Sequence, residues 1–215
     1  MIIGISGMIS SGKSTLSKGL HKHYKNSILL EEFEDDDEIF NKFLDWFYQG
    51  KKNIELSFQA YIIESLSSKF KKTLHEFKAM NKNLQKDHIF LDRFNLEHYI
   101  FAQISLKNKP KQYMTAFNQM FNTLVEIEEN PQLAIFIDIS FETFKQRIFK
   151  RNRKSEIDNY KLNEEYFKEL HSIYKPYYIN LMEKYNIKYK IINADSKYDQ
   201  EVLKEVINII ENFQK

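Results

Sequence analysis

The chain has no cysteine, which removes disulfide bridges, thiolate metal sites and thiol nucleophiles together. It holds three prolines, five glycines and one tryptophan in 215 residues. So few chain breakers exclude a collagenous, linker-rich or low-complexity protein. No apolar run approaches the roughly 20 residues that a membrane-spanning helix needs, so no membrane partner is expected. The first apolar run begins at Ile2, and the expectation is a cytoplasmic chain without a signal or transit segment. Charge of either sign is not in excess: 32 basic residues face 30 acidic ones. The lysines are scattered rather than gathered into a stripe with aromatic residues, which argues against a nucleic-acid partner. Six histidines spread along the chain give no zinc cluster. What remains is the composition of a single α/β domain over residues 1–215.

The scarce glycines are not scattered. Gly4, Gly7 and Gly12 fall at the start of the chain, and Gly7, Met8, Ile9, Ser10, Ser11, Gly12, Lys13, Ser14 and Thr15 spell the G-x-x-x-x-G-K-S/T pattern of a phosphate-binding loop. The run before it is apolar and β-branched, a buried strand, and Ser14 to Tyr24 can wind as a helix. Strand, loop and helix N-terminus aim backbone N–H groups and a helix dipole at one point, which suits a polyphosphate. Lys13 can reach the β- and γ-phosphates, and the Ser14 hydroxyl can ligate Mg²⁺. ATP and Mg²⁺ are the expected cofactors.

Further short apolar runs predict strands at Ser27 to Leu30, His88 to Leu91, Leu133 to Ile137 and Lys188 to Asn193. Between them, three- and four-residue spacings predict helices: Ile39 to Tyr48, a long one marked by Ile54 to Phe77, Leu96 to Leu106, Pro110 to about Glu128, and Phe141 to about Lys150. Another runs from Glu164 to Tyr185 with a kink at Pro176, and a last one ends near Phe213. Strands alternating with helices predict a five-stranded parallel sheet covered on both faces, with ligands at the carboxyl ends of its strands.

Arginine is also scarce. The four arginines are Arg93, Arg147, Arg151 and Arg153, against a large excess of lysine. Lysine cannot copy the planar fork that grips phosphate bidentately, so the remaining arginines mark places where that fork is needed. Arg93 closes a strand. The other three cluster where a lid of about residues 147–160 would close over a nucleotide, although surface pairing with Glu142 or Glu156 is the plainer alternative. Asp92 can hold Mg²⁺ with Ser14, and Glu31 or Glu32, ending the second strand, is the candidate base toward an acceptor hydroxyl. The rest of the acidic run to Glu38 reads as a helix start.

In this order the features resemble the deoxyribonucleoside kinase family, most closely its bacterial deoxyadenosine/deoxyguanosine kinase branch. The resemblance rests on GMISSGKST, Glu32, the spacing from Tyr48 to FQAY at Phe58 to Tyr61, LDRFNLEHYIFA at Leu91 to Ala102, and RIFKRNRKSE at Arg147 to Glu156. It implies a P-loop kinase with an arginine-bearing lid, acting on the 5′-hydroxyl of a small-molecule deoxynucleoside in purine salvage. Separately, the aromatic residues of the helix Met114 to Leu124 suit a homodimer through a helix pair, although such residues are more often core. By that resemblance Glu32 is the base, Arg93 holds the hydroxyl and the incoming phosphate, and Asp92 sits near Mg²⁺. Tyr48 and Glu156 bind the sugar 3′-hydroxyl, Gln59 reads the base edge, Phe58 and Phe101 sandwich the base, and Arg147, Arg151 and Arg153 serve the lid. Four departures stand out: Phe33 replaces a usual proline, Phe94 a usual serine and Leu66 a common arginine. The spacing after Arg93 is one residue short, so either Glu97 or His98 is the second base contact.

Overall fold

The apolar opening run forms β1, Ile2–Gly7, buried along its whole length as a strand covered on both faces must be. The computed structural model describes residues 1–32, 37–151 and 160–213, with Arg151 described through its backbone alone. Four more strands pair with β1 directly or in series: β2, Ile28–Leu30; β3, Ile89–Asp92; β4, Leu133–Asp138; and β5, Lys188–Asn193. All pairings are parallel, in the order β2-β3-β1-β4-β5. The outer strand β5 exposes Lys188 and Lys190, a charged edge that discourages pairing with another chain. The central strands β1, β3 and β4 carry the core.

Helices cover the sheet: α1, Lys13–His23; α2, Glu38–Tyr48; α3, Glu55–Ala79; α4, Asn95–Leu106; α5, Lys111–Leu124; α6, Phe141–Arg151; α7, Glu164–Lys184; and α8, Asp199–Phe213. The acidic run does start a helix where it is described, since the Asp37 carboxylate caps α2 by accepting from the Phe40 N–H at 2.9 Å. Pro176 lies inside the continuous α7. Among the described residues, no helix is long and apolar enough to cross a membrane.

One boundary differs from the periodicity. The spacing predicts a helix to about Glu128, but α5 stops at Leu124 and Val125 turns extended. A 3-10 turn, Ile127–Glu129, follows, held by reciprocal capping between Glu126 and Glu129. Glu129 is buried, and its Oε2 accepts from the Ser67 hydroxyl at 2.8 Å and the Asn95 amide at 2.9 Å. These tertiary hydrogen bonds between α3, α4 and the turn outweigh the local preference for continuing the helix.

The register carries a consequence for the site. Ile5 stands beside Asp92, and Gly7 beside Ile137, so the loop and the ends of β3 and β4 meet at one edge. Phe94, two residues past Asp92, is buried against β1: a Cβ on Gly4 would come within 2.8 Å of its ring and 3.0 Å of Pro131. The phenylalanine that departs from the family pattern therefore fills space that Gly4 leaves open. Gly4→Ala overpacks this contact and is expected to destabilise the fold by about 1–3 kcal/mol, read by denaturant unfolding. Unchanged stability would mean that the Phe94 ring shifts freely.

Candidate active site

The phosphate loop leaves β1 at Gly7 and enters α1 at Gly12, with φ of 143° and 103°. Both values lie where side chains are strained, and a Cβ on Gly7 would also sit 2.6 Å from the Ile137 carbonyl. Inside the loop the Ser11 N–H and the Lys13 ammonium both donate to the Met8 carbonyl, at 3.1 Å each. Ser10 takes a left-handed φ of 59°, Ile9 is half-buried, and Thr15 is exposed on α1. Lys13 is buried, and burial brings its pKa down to about 8, with Arg93 pushing the same way and Glu32, Asp92 and Glu97 opposing.

A lysine held charged in a buried site costs stability until a ligand compensates it. Its folded pKa lies below the unfolded 10.5, so the unfolded chain binds more protons between pH 8 and 10.5, and stability rises with pH across that window. Below it the full cost is present. Lys13→Met is therefore expected to stabilise the ligand-free chain at pH 7 by on the order of 1–3 kcal/mol. The advantage should shrink as pH climbs from 8 to 10.5. An equally stable variant at pH 7, by chemical denaturation, would show that the loop accommodates the charge without cost.

Arg93 is the centre of a second group of charged side chains, beside the loop. It has a φ of 72°, left-handed for a non-glycine residue, while its N–H still extends the ladder to the Ile5 carbonyl at 3.0 Å. Such strain persists only where the surroundings enforce it. The guanidinium is buried, with Nε 2.9 Å from Glu32 Oε1, Nη1 on Glu97 at 3.5 Å and on the Tyr174 hydroxyl, and Nη2 on the Gly7 carbonyl at 3.4 Å. It also lies over the Phe101 ring at 4.9 Å. Burial opposes its charge, yet Glu32 and Glu97 more than compensate and hold it protonated.

Glu31 and Glu32 part company here. Glu31 forms an exposed pair with Lys18 at 3.2 Å, while Glu32 faces Arg93 and stands 3.6 Å from His98 Nε2. His98 is buried, its pKa held well below the ordinary value by burial and by Arg93 and Lys13, and it stacks on Phe101 at 5.7 Å. Asp92 is buried as well; burial pushes its carboxyl up, against Lys13 and a hydrogen bond from Ser14. Its Oδ1 has no hydrogen-bond partner among the described residues. A buried, unsatisfied carboxylate oxygen beside a serine hydroxyl fits a Mg²⁺ ion whose other ligands are water and phosphate oxygens.

The remaining expected residues are brought in unevenly. Gln59 on α3 is buried with its Oε1 unpartnered among the described residues, an acceptor waiting for a donor. Phe58 packs in a satellite cluster with Ile62 and Leu66, its ring stacked on Phe43 at 5.5 Å, so it faces α2. The departure at Leu66 belongs to that same apolar cluster. Tyr48 ends α2, beside Phe167 at 5.9 Å, and its carbonyl accepts from Asn163 at 3.4 Å. Arg147 donates to the Ser11 carbonyl at 2.6 Å and the Ala194 carbonyl at 2.9 Å, tying α6 to the phosphate loop and to the end of β5. Arg153, Glu156 and the side chain of Arg151 lie outside the described residues.

Two parts of the site were not singled out by sequence reasoning. Tyr174, whose hydroxyl joins Arg93 to Glu97, sits among the buried residues of α7 and reads in sequence as core. Ser6, which donates to Glu97 at 2.9 Å, reads as strand. The only signal either could have given is a hydroxyl on an otherwise apolar face.

Residues 3–215 match the family model described as deoxynucleoside kinase. An uncharacterized Mycoplasma pneumoniae protein is 30% identical over 97% of this chain and 88% of its own length. A deoxyguanosine kinase of Lactobacillus johnsonii is 28% identical over 100% of this chain and 94% of its own. Among solved structures, deoxyadenosine kinase from M. mycoides with dCMP and dCDP bound superposes with a TM-score of 0.78 at 23% identity, covering 99% of this chain and 100% of that one. The sheet order and helical layers described above are that fold.

Proposed function

The chain belongs to the deoxynucleoside kinase family, and from that premise we propose that it transfers the γ-phosphoryl group of ATP to the 5′-hydroxyl of a purine deoxyribonucleoside, giving the monophosphate in nucleotide salvage. The observation that carries this reading is the Glu32–Arg93 pair at 2.9 Å, close enough to the phosphate loop for both to act on Lys13. A carboxylate and an arginine fork at the mouth of a nucleotide loop are what an acceptor hydroxyl needs: a base for its proton and a clamp for its oxygen.

In this mechanism Glu32 accepts the proton of the 5′-hydroxyl while Arg93 holds that oxygen and the arriving phosphoryl group. Lys13 leaves the Met8 carbonyl for the β- and γ-phosphates, its charge then compensated by them. Ser14 and Asp92 would hold Mg²⁺, which neutralises charge on the transferring phosphate. Arg147 closes the donor end between the loop and β5, and Arg151 and Arg153 are assigned to the lid. Gln59 and His98, with Phe101, are assigned to the base, Phe58 to the pocket wall, and Tyr48 with Glu156 to the sugar. A homodimer in the cytoplasm completes the proposal.

The test is an ATP-coupled assay with Mg²⁺ on the four deoxynucleosides, their monophosphates and no acceptor. Turnover on deoxyadenosine or deoxyguanosine supports the reading. Turnover on monophosphates alone would replace it with a nucleoside monophosphate kinase, and ATP binding without any transfer would replace it with a regulatory nucleotide binder.

A further inference from the structure

Glu97 is fully buried on α4, four residues after Arg93, and among the described residues its hydrogen-bond partners are all donors. Its Oε1 accepts from the Ser6 hydroxyl at 2.9 Å; its Oε2 accepts from the Gly7 N–H at 3.3 Å, the Tyr174 hydroxyl at 2.7 Å and Arg93 Nη1 at 3.5 Å. One carboxylate thus joins β1, α4 and α7. With its oxygens committed to this network, it is not placed to read a base edge.

The geometry at Gly7 gives the network its meaning. The Gly7 N–H goes to Glu97, and the Gly7 carbonyl accepts from Arg93 Nη2 at 3.4 Å. The first glycine of the phosphate loop is therefore gripped on both sides by the two members of one ion pair. Turning either member breaks a hydrogen bond to the loop, and the Ile137 carbonyl packs against Gly7 so closely that a Cβ there would lie 2.6 Å from it. We propose that Glu97 is a positioning residue that fixes the Arg93 fork to the phosphate loop, so that the acceptor oxygen and the donor phosphate are held in register. The proposal rests on the role given to Arg93 above. It concerns rate more than binding, because misplacing a clamp by about 1 Å costs on the order of a hundredfold while the bound ground state is little disturbed.

Glu97→Gln tests it with little loss of shape. Its amide oxygen can still face Gly7 and Tyr174, the Ser6 hydroxyl can turn to accept from the new amide, and only the charge opposite Arg93 disappears. The expected result is a kcat lower by about 10- to 100-fold, with KM for the nucleoside and Kd for ATP within roughly threefold. In an Arg93→Lys background the same change should cost less than about twofold, because both act through one fork. Tyr174→Phe provides a second route that keeps the ring, with a kcat loss of about 3- to 10-fold and the same non-additivity, and it carries the test should Glu97→Gln not fold. An active wild type whose Glu97→Gln variant keeps kcat within twofold, or loses only KM, or multiplies its loss with that of Arg93→Lys, overturns the role of Glu97 alone. A wild type that phosphorylates no nucleoside overturns the functional reading itself.

Discussion

Replacing Glu32 by glutamine lowers kcat by about two to four orders of magnitude, the scale of a lost general base, and leaves ATP affinity nearly unchanged. The side chain keeps its size, and an amide oxygen can still face Arg93 Nε where the carboxylate stood at 2.9 Å. What it could no longer do, in the role proposed for Glu32, is take the proton of the acceptor hydroxyl. Glu31 offers no substitute, since it points to Lys18 on the surface. ATP binding is spared because the loop's own groups, the N–H donors around Met8 to Gly12 and Lys13, do not depend on Glu32 for a hydrogen bond. The measurement is steady-state turnover beside ATP titration by calorimetry. Turnover within tenfold of wild type would remove Glu32 from the role of base.

The second large effect is Arg93→Lys, which keeps the charge and discards the fork. Arg93 serves Glu32 with Nε, Glu97 and Tyr174 with Nη1, and Gly7 with Nη2. A single ammonium cannot span those directions. Arginines that neutralise a transferring phosphoryl group are worth about 10³–10⁵ in kcat, and a loss of about a thousandfold is expected here with lysine retaining part of the charge. Stability should fall too, because the fully buried Glu97 is left imperfectly paired; breaking a buried pair outright costs about 3–5 kcal/mol, and lysine should cost less. Kinetics and thermal unfolding on the same preparation separate the two losses. A variant that melts earlier yet turns over normally would make Arg93 a structural residue only.

Much of this site could be read in the chain before it was folded. The phosphate loop is written in consecutive residues because its backbone must curl in one short stretch, and Gly7 and Gly12 supply the two largest positive φ angles it needs. The strands were legible because parallel strands buried on both faces are continuous apolar runs, as β1, β3 and β4 are. Arg93 stood out by scarcity. The end of α5 was not legible, since what stops it is the demand of Glu129 for Ser67 and Asn95, residues far away in sequence.

The choice between neighbours was equally out of reach. Glu31 and Glu32 are the same residue type side by side, and only the turn after β2 sends one to solvent and the other to Arg93. Glu97 and His98 looked interchangeable as base contacts; helix phase turned the first to the loop and left the second against Phe101 and Glu32. The sequence by itself determined the fold class, the phosphate loop and the identity of the charged groups, because each depends on local backbone demands or on burial patterns that a short window records. Only the tertiary structure decided which of those charges meet. Gly7, Arg93, Glu97 and Tyr174 come from β1, the turn between β3 and α4, α4 and α7, and the distances that make them one unit exist only after the sheet has brought those elements together.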